Sequence, residues 1–181
     1  MYPLGKQFEI DTSKSKSDAK CIFSGKNYRI SVISDRCVRL EYSPNNQFID
    51  NPTQLIKKRN LGIPDFMVEE DGRLLVITTK YFVLTYVKGQ PFVGGSVDPA
   101  KHLKITLRAH EKDRQKDWYY GHPEVRNMGG NIVSVDFPTN KSLQKGLFSL
   151  DGFVSIDDSN SRIIVQDGTL IEAPSDHVDI Y

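Results

Sequence analysis

The sequence predicts an all-β fold, an antiparallel β-sandwich, and three observations support that prediction. From residue 20 onward many segments alternate apolar and polar side chains, as half-buried strands do. These segments are rich in β-branched and aromatic residues, which fit a pleated surface. Turn-forming residues separate them at short intervals, and no long stretch has the period of an amphipathic helix. Many short strands in this arrangement indicate two sheets packed face to face.

The strands can be placed in chain order from the alternating segments. They are predicted over residues 28–34, 36–43, 73–79, 81–87, 103–108, 152–158, 161–167 and 169–173. The first two are separated by Asp35 and predict a hairpin, and the third begins after the turn Asp71-Gly72. Residues 1–19 are polar and are expected to form a flexible segment, whereas residues 20–181 form a single domain.

Length and charge limit the classes of protein to be considered. A chain of 181 residues can bury a core without help. Its 24 basic and 23 acidic residues nearly cancel, so neither nucleic acid nor a membrane is expected as a partner. The first residues lack the apolar block of a signal peptide, which favours a cytoplasmic protein or a piece of a longer one. The final run "DHVDIY" alternates up to its last residue, which favours the second alternative.

The sequence predicts no metal site and no cofactor. Cys21 and Cys37 lie in strand-like segments and are expected to be reduced thiols. Neither Cys-x-x-Cys nor His-x-x-x-His spacing occurs. No histidine is placed to activate either thiol as a nucleophile.

Acidic residues offer no convincing catalytic pair. A glycosidase needs two carboxyl groups across a cleft. The acidic runs 69–71 and 157–158 lie beside turns, so solvated turn residues are the favoured interpretation. Asp151 and Asp167 each precede a glycine, which is also typical of turns.

The stretch "DWYYGHPEVRNMGGNIVSVD", residues 117–136, has little periodicity and is predicted to be a loop. It holds the only tryptophan, within the aromatic run Trp118, Tyr119 and Tyr120. Aromatic rings suit the flat apolar faces of sugars, and the amides of Asn127 and Asn131 can both donate and accept hydrogen bonds. The residues alone leave two interpretations open: a sugar site, or a loop whose tryptophan and one tyrosine plug the edge of the core.

Four stretches, taken in order, resemble the N-terminal domain of glycoside hydrolase family 31, the α-glucosidase and α-xylosidase family. The first contains "RLEYS" followed by "FIDNPTQ", and the second is "LLVITTKYFVLTYVKGQPF". The third is the aromatic loop, which is similar to a Tyr-Gly … Asn-x-Gly-Gly-Thr … Asp pattern. The fourth, "GLFSLDGFVSIDDSNS", is similar to Gly-Leu-x-Ser-Arg-Asp-Gly-Trp-x-x-x-Asp-Asp-Ser. They lie within residues 28–59, 74–92, 118–136 and 146–161.

The resemblance implies a galactose mutarotase-like β-sandwich, or supersandwich, that precedes a catalytic β/α barrel. In the family the barrel carries both catalytic aspartates, so no catalytic residue is expected in this chain. A loop of the sandwich leans over the mouth of the barrel and shapes the sugar pocket. The partners implied are an α-glucoside or α-xyloside oligosaccharide and the barrel of the same polypeptide.

The substrate-binding positions expected in the loop come from two sources. Those that match the family pattern are Tyr120, Gly121, Asn127, Gly129, Gly130 and Asp136. The chemistry of the loop adds Trp118 and Asn131.

Three residues depart from the family pattern and leave the choice between glucoside and xyloside open. Asn131 stands where the family has threonine, Leu150 where it has arginine, and Phe153 where it has tryptophan.

Two other functions remain as alternatives at this point. A free-standing carbohydrate-binding module would use the three adjacent aromatic rings as a platform for sugar. An aldose mutarotase would need His102 or His122 beside a carboxylate for proton transfer.

Overall fold

A computed structural model describes residues 5–92, 102–108, 117–130 and 145–181. In this part of the chain the regular structure is almost entirely strand, with two short 3-10 helices, Lys6–Phe8 and Ala19–Cys21. The strands are β1 (Ile22–Gly25), β2 (Tyr28–Ser34), β3 (Cys37–Tyr42), β4 (Phe66–Glu70), β5 (Leu74–Thr79), β6 (Phe82–Val87), β7 (Leu103–Leu107), β8 (Asp117–Trp118), β9 (Ile163–Ile164), β10 (Leu170–Ile171) and β11 (Val178–Ile180). No helix in these ranges is long and apolar enough to cross a membrane. The prediction of an all-β fold is confirmed.

The strands form two main antiparallel sheets that share one core. One sheet has the order β1-β2-β3-β11, and the other has the order β4-β5-β6-β7-β8. Strands β9 and β10 form a small separate pair. Between the main sheets, the ring of Tyr28 meets that of Tyr86 with centroids 4.8 Å apart, and Phe23 meets Phe66 at 6.0 Å. One apolar cluster includes side chains from both sheets, so the architecture is a β-sandwich.

The five-stranded sheet follows the alternation that the sequence predicts. In β5 and β6, every second side chain is buried, including Leu75, Ile77 and Leu84. The turn before β5 is closed by Asp71, whose carboxylate accepts hydrogen bonds from the backbone N–H groups of Arg73 and Leu74. This sheet is half-buried, with one face in the core.

Strands β2 and β3 of the four-stranded sheet are buried on both faces, which corrects the expectation of a half-buried β2. Ser31 and Arg29 face away from the apolar core and are nevertheless buried. Arg29 lies directly across from Glu41 on β3 and donates two hydrogen bonds to its carboxylate. The carbonyl oxygen of Ile49 accepts a further hydrogen bond from Arg29, so the chain after β3 covers this face. The alternation of apolar and polar residues predicted strand β2 correctly. It could not show that the polar face of this strand is also buried.

The strand predicted over residues 152–158 is not formed. Gly152 has a φ of 80°, a conformation that breaks an extended run. An isolated bridge between Asp157 and Ile180 joins this segment to β11, together with hydrogen bonds between Ile156 and Tyr181 and from the Asp158 N–H to the Asp179 carbonyl. The strands predicted over 161–167 and 169–173 shorten to β9 and β10, because turns take up the residues around each.

The N-terminal segment has defined contacts within residues 5–19. The backbone N–H of Ile10 donates to the carbonyl of Gln166. Arg59 donates to the carbonyl oxygens of Lys14 and Ser15 through its backbone and its guanidinium. These hydrogen bonds hold the segment against the sandwich. The expected flexibility of residues 1–19 stays a prediction.

Candidate functional site

Two segments that are distant in sequence lie side by side and form what we call the loop junction, residues 124–130 with residues 145–155. Backbone hydrogen bonds join Met128 N–H to the Phe148 carbonyl at 2.8 Å and Leu150 N–H to the Arg126 carbonyl at 3.1 Å. An antiparallel bridge pairs Asn127 with Ser149 between them. The end of the predicted aromatic loop is thereby held against the segment that carries the fourth family-like stretch.

Asn127 closes the loop junction with its side-chain amide. Its Nδ2 donates to the Gly146 carbonyl at 3.0 Å and to Glu124 Oε2 at 3.1 Å. Its Oδ1 accepts from the backbone N–H groups of Gly129 at 2.9 Å and Gly146 at 2.8 Å. An amide has two donor hydrogens and two acceptor lone pairs, so this capacity is filled. Asn127 therefore lies in the predicted site as the residue that shapes the loop, without a free group for a sugar hydroxyl.

Glycines permit the close approach of the two segments. A Cβ on Gly146 would overlap the carbonyl oxygen of Gly129 and approach the backbone nitrogen of Gly130 at 3.0 Å. Gly129 has a φ of 79° and Gly121 a φ of 81°, in the left-handed region that favours glycine. The glycine-rich composition of this stretch is thus explained by backbone packing and tight turns.

Glu124 is a polar residue of the loop junction that the sequence did not single out. Its carboxylate is fully buried and accepts hydrogen bonds from the backbone and hydroxyl of Ser155 and from Lys145 Nζ. Burial alone would raise the pKa of Glu124. The hydrogen bonds from Ser155, Lys145 and Asn127 outweigh it and hold the pKa below its ordinary value. Glu124 is therefore a buried charged residue that holds the loop in place. The sequence could not indicate this role, because Ser155 lies 31 positions away.

The three adjacent aromatic residues do not form one exposed platform. Trp118 is only 6% exposed and pairs with Ile105 in the core, as one of the two sequence interpretations expected. Tyr120 packs on the core beside Phe92, with ring centroids 6.5 Å apart. Tyr119 is half-buried and contacts the His122 ring at 4.9 Å. The rings face different surroundings, so the geometry does not support a shared stacking surface for sugar.

The remaining predicted residues have different outcomes. Asn131 and Asp136 lie outside the described residues, and Gly130 is half-buried at the end of the loop junction. Among the departures from the family pattern, Leu150 is exposed, whereas Phe153 packs against His122 with ring centroids 5.2 Å apart.

Apolar side chains project into solvent from both segments of the loop junction. They are between 58% and 82% exposed, and we call them the apolar rim: Val125, Met128, Leu147, Phe148 and Leu150. Single exposed apolar residues are ordinary on protein surfaces, but here five are concentrated on two paired segments. Such a concentration is typical of a surface that contacts another protein or domain.

The histidines expected for a mutarotase are not paired with an acid in the described part of the chain. His122 lies between Tyr119 and Phe153, and His102 Nδ1 lies 3.0 Å from the carbonyl oxygen of Pro91. The histidine that does lie close to carboxylates is His177, with Nε2 3.9 Å from Asp179 Oδ2. The sequence pattern did not indicate it, because its surroundings come from β3 as well as β11.

His177 belongs to a buried charged layer on the outer face of the four-stranded sheet. Arg39 donates two hydrogen bonds to Asp179, at 2.8 and 2.6 Å, and lies 3.0 Å from Glu41. The ligand atoms of Glu41, His177 and Asp179 lie within 4.8 Å of one another. Because guanidinium groups already engage both carboxylates, we interpret the layer as structural and not as a metal centre.

Asp158 corrects the expectation that the 157–158 pair is solvated. Its side chain is buried and accepts a 2.7 Å hydrogen bond from Thr53, and Arg59 lies 3.6 Å away. Burial raises the pKa of Asp158, with the nearby Asp179 contributing in the same direction. Asp157 remains exposed and accepts from the backbone N–H of Ser159. The turn was predicted correctly, but the burial of Asp158 beside Thr53 and Arg59 was not predicted.

The chain matches no protein-family model, and no curated protein matches it. Function is therefore argued from the loop junction, the apolar rim and the resemblance in sequence.

Proposed function

We propose that this chain is the N-terminal β-sandwich domain of a family 31 α-glycosidase. In this role it supplies a loop of the substrate pocket and packs against a catalytic barrel of the same polypeptide. The whole enzyme would hydrolyse terminal α-linked glucose or xylose. A galactose mutarotase-like form of the sandwich and a cytoplasmic location are parts of the same proposal.

The observation that carries the proposal is the meeting of two family-like stretches. The aromatic loop and the segment after residue 145 resemble separate family patterns, and Asn127 bonds directly to both. A loop whose polar groups are already satisfied needs little reorganisation when substrate arrives. Such preorganisation is what a pocket wall requires, because ordering a loose loop would cost binding energy.

The apolar rim supports the second part of the proposal, contact with another domain. Val125 and Phe148 are the most exposed of its side chains, at 82% and 77%. Covering them with a barrel surface would remove apolar area from water next to the loop junction. The catalytic carboxyl groups would come from the barrel, because the described carboxylates of this chain that are buried are engaged by arginine, lysine, serine or threonine.

The alternative of a free-standing carbohydrate-binding module loses its main support in the placement of the aromatic rings. Such a module needs exposed, similarly oriented rings, whereas Trp118 is buried and Tyr120 packs on the core. The two functions differ in what the isolated chain does with sugar.

The isolated chain tests both functions in one preparation. We expect no hydrolysis of p-nitrophenyl α-D-glucoside or α-D-xyloside, because the proposal places both catalytic aspartates elsewhere. We also expect no saturable response to glucose, xylose or isomaltose in nuclear magnetic resonance spectra, because the other wall of the pocket is absent. Hydrolysis that disappears in Asp151→Asn or Asp157→Asn would refute the proposal, and sugar binding tighter than about 1 mM would favour the module.

A further inference from the structure

An open cleft of about 590 Å³ lies at one end of the sandwich, and the proposed function assigns it no ligand. Core side chains of both sheets form its floor, among them Val38, Leu40, Phe82, Ile105, Trp118 and Ile180. The segment 150–156 forms another wall. The volume is within the range of about 300–1,000 Å³ that is typical of sites for small molecules.

The walls of the cleft are mainly apolar, and its charged groups are few. Among the described residues, the charged side chains that line it are Arg36, Arg108 and Asp151. The carboxylate of Asp151 lies 3.7 Å from Arg126, which offsets its charge. The two lining arginines therefore make the cleft favourable for an anion.

Both arginines are exposed, so they lie where the cleft meets solvent. The guanidinium of Arg36 lies 3.6 Å from the centre of the Tyr81 ring. Arg108 Nη1 donates to the carbonyl oxygen of Thr79 at 2.9 Å. Within the described part of the chain, one contact positions each guanidinium, and the group carries five N–H donors. A planar carboxylate is the anion that such a fork binds best.

We propose that this cleft binds a free single-chain carboxylate, of the medium-chain fatty acid class. The hydrocarbon chain would lie against the core side chains, and the carboxylate would accept hydrogen bonds from Arg36 and Arg108. A saccharide fits the cleft less well, because most of its hydroxyl groups would face apolar walls without partners. The proposal does not rest on the glycosidase assignment. The cleft shares Leu150 with the apolar rim and residues 151–155 with the loop junction, but the groups that would bind the carboxylate, Arg36 and Arg108, belong to neither.

Trp118 gives the experiment a built-in probe, because it is the only tryptophan and lines the cleft. The purified chain is titrated with dodecanoate carrying bromine at the chain end, below its micellar concentration. Bromine quenches tryptophan emission on contact, so we expect saturable quenching. Unbrominated dodecanoate should compete for the site, and dodecyltrimethylammonium should bind at least tenfold more weakly.

The double variant Arg36→Gln/Arg108→Gln should weaken dodecanoate binding at least tenfold. Arg73→Gln is the matched control, because Arg73 is an exposed arginine at the other end of β5 from Thr79 and does not line the cleft. It should leave the affinity unchanged. Equal binding of the ammonium and the carboxylate would overturn the proposal, as would unsaturable quenching or an unchanged affinity in the double variant. A ligand-free dimer in size-exclusion chromatography that excludes dodecanoate would overturn it too, in favour of a second copy as the occupant.

Discussion

Asn127 and Glu124 show how a polar residue in a loop can serve the loop itself. The Asn127 amide makes hydrogen bonds to Gly129, Gly146 and Glu124, and the Glu124 carboxylate is fully buried beneath it. Removing either side chain would leave buried donors or acceptors without partners, which costs about 1–3 kcal/mol for each group. In the proposed pocket wall, these residues determine the loop's shape, and any contact with sugar is made by other groups.

His177 should make the stability of the sandwich depend on pH. Burial lowers the pKa of His177 from the ordinary value of 6.5, and the positive charge of Arg39 lowers it further. The negative charge of Asp179 raises the pKa but is outweighed, so the folded state favours the neutral ring. As pH falls through 6.5, the unfolded chain takes up a proton that the folded chain does not, so the free energy of unfolding decreases. We expect His177→Leu to remove this component from urea unfolding measured between pH 7.5 and 5.5.

The interpretation of that experiment depends on the other groups around the ring. Burial raises the pKa values of Glu41 and Asp158, so they give a slope of opposite sign above their ordinary values of 4.5 and 3.8. The measured quantity is therefore the difference between the wild-type and variant slopes. His102→Gln, outside the charged layer, should retain the wild-type slope, and a His177→Leu slope equal to the wild type would contradict the account.

The roles of Glu124 and Arg39 could not be assigned from the sequence, because their partners are remote in it. Ser155 lies 31 positions from Glu124, and Asp179 lies 140 positions from Arg39. By contrast, Asp71 and Asp167 were predicted correctly as turn residues, since each bonds to backbone N–H groups two or three positions away. Local hydrogen-bond chemistry can be read directly from the sequence, whereas a burial environment depends on the fold.

At the level of elements, the loop junction is a short antiparallel ladder without long strands. It depends on close contact between the Gly129 and Gly146 backbones. The aromatic loop was predicted as a loop, and Gly129 was named there as a position that matches the family pattern. The sequence did not show which segment Gly129 approaches, because the pairing joins positions about twenty residues apart, across residues that the structure does not describe.

Gly146→Ala should open the loop junction without unfolding the sandwich. The new Cβ would overlap the Gly129 carbonyl oxygen, so the two segments must separate. We expect faster amide hydrogen exchange at Met128 and Leu150, with strands β5 and β6 unchanged. Gly72→Ala is the matched control, because nothing lies within 4 Å of its added Cβ. Unchanged exchange at Met128 in Gly146→Ala would show that the ladder does not need this glycine.

The buried ion pair between Arg39 and Asp179 should stabilise the pairing of strand β3 with strand β11. Removing one partner of such a pair leaves a buried charge, so Asp179→Asn is expected to cost about 3–5 kcal/mol in urea unfolding. The double variant Arg39→Met/Asp179→Leu should cost less than the sum of the single variants. The exposed pair of Lys88 with Glu70, at 2.8 Å, is the control, and its loss should cost less than about 1 kcal/mol. Additive costs for the buried pair would mean that the two residues do not stabilise each other.

The whole molecule combines an apolar core between two sheets with a charged layer on the outer face of one of them. Period-two alternation predicted the sandwich and the hairpin of β2 with β3, since it reflects which side chains face the core. It did not predict the charged layer, because Arg29 and Arg39 look like ordinary solvent-facing residues in sequence. The cleft was not foreseen either, since it forms where segments remote in the chain fail to fill the end of the sandwich.

The central claim is that this sandwich serves an α-glycosidase, and the native protein tests it most directly. Antibodies raised against the isolated chain would capture the polypeptide from cells that carry the gene, for measurement of its mass and of p-nitrophenyl α-D-glucoside and α-D-xyloside hydrolysis. The account predicts a polypeptide several hundred residues longer than 181 that hydrolyses one of these substrates with retention of anomeric configuration. A captured protein of only 181 residues that hydrolyses neither would contradict it.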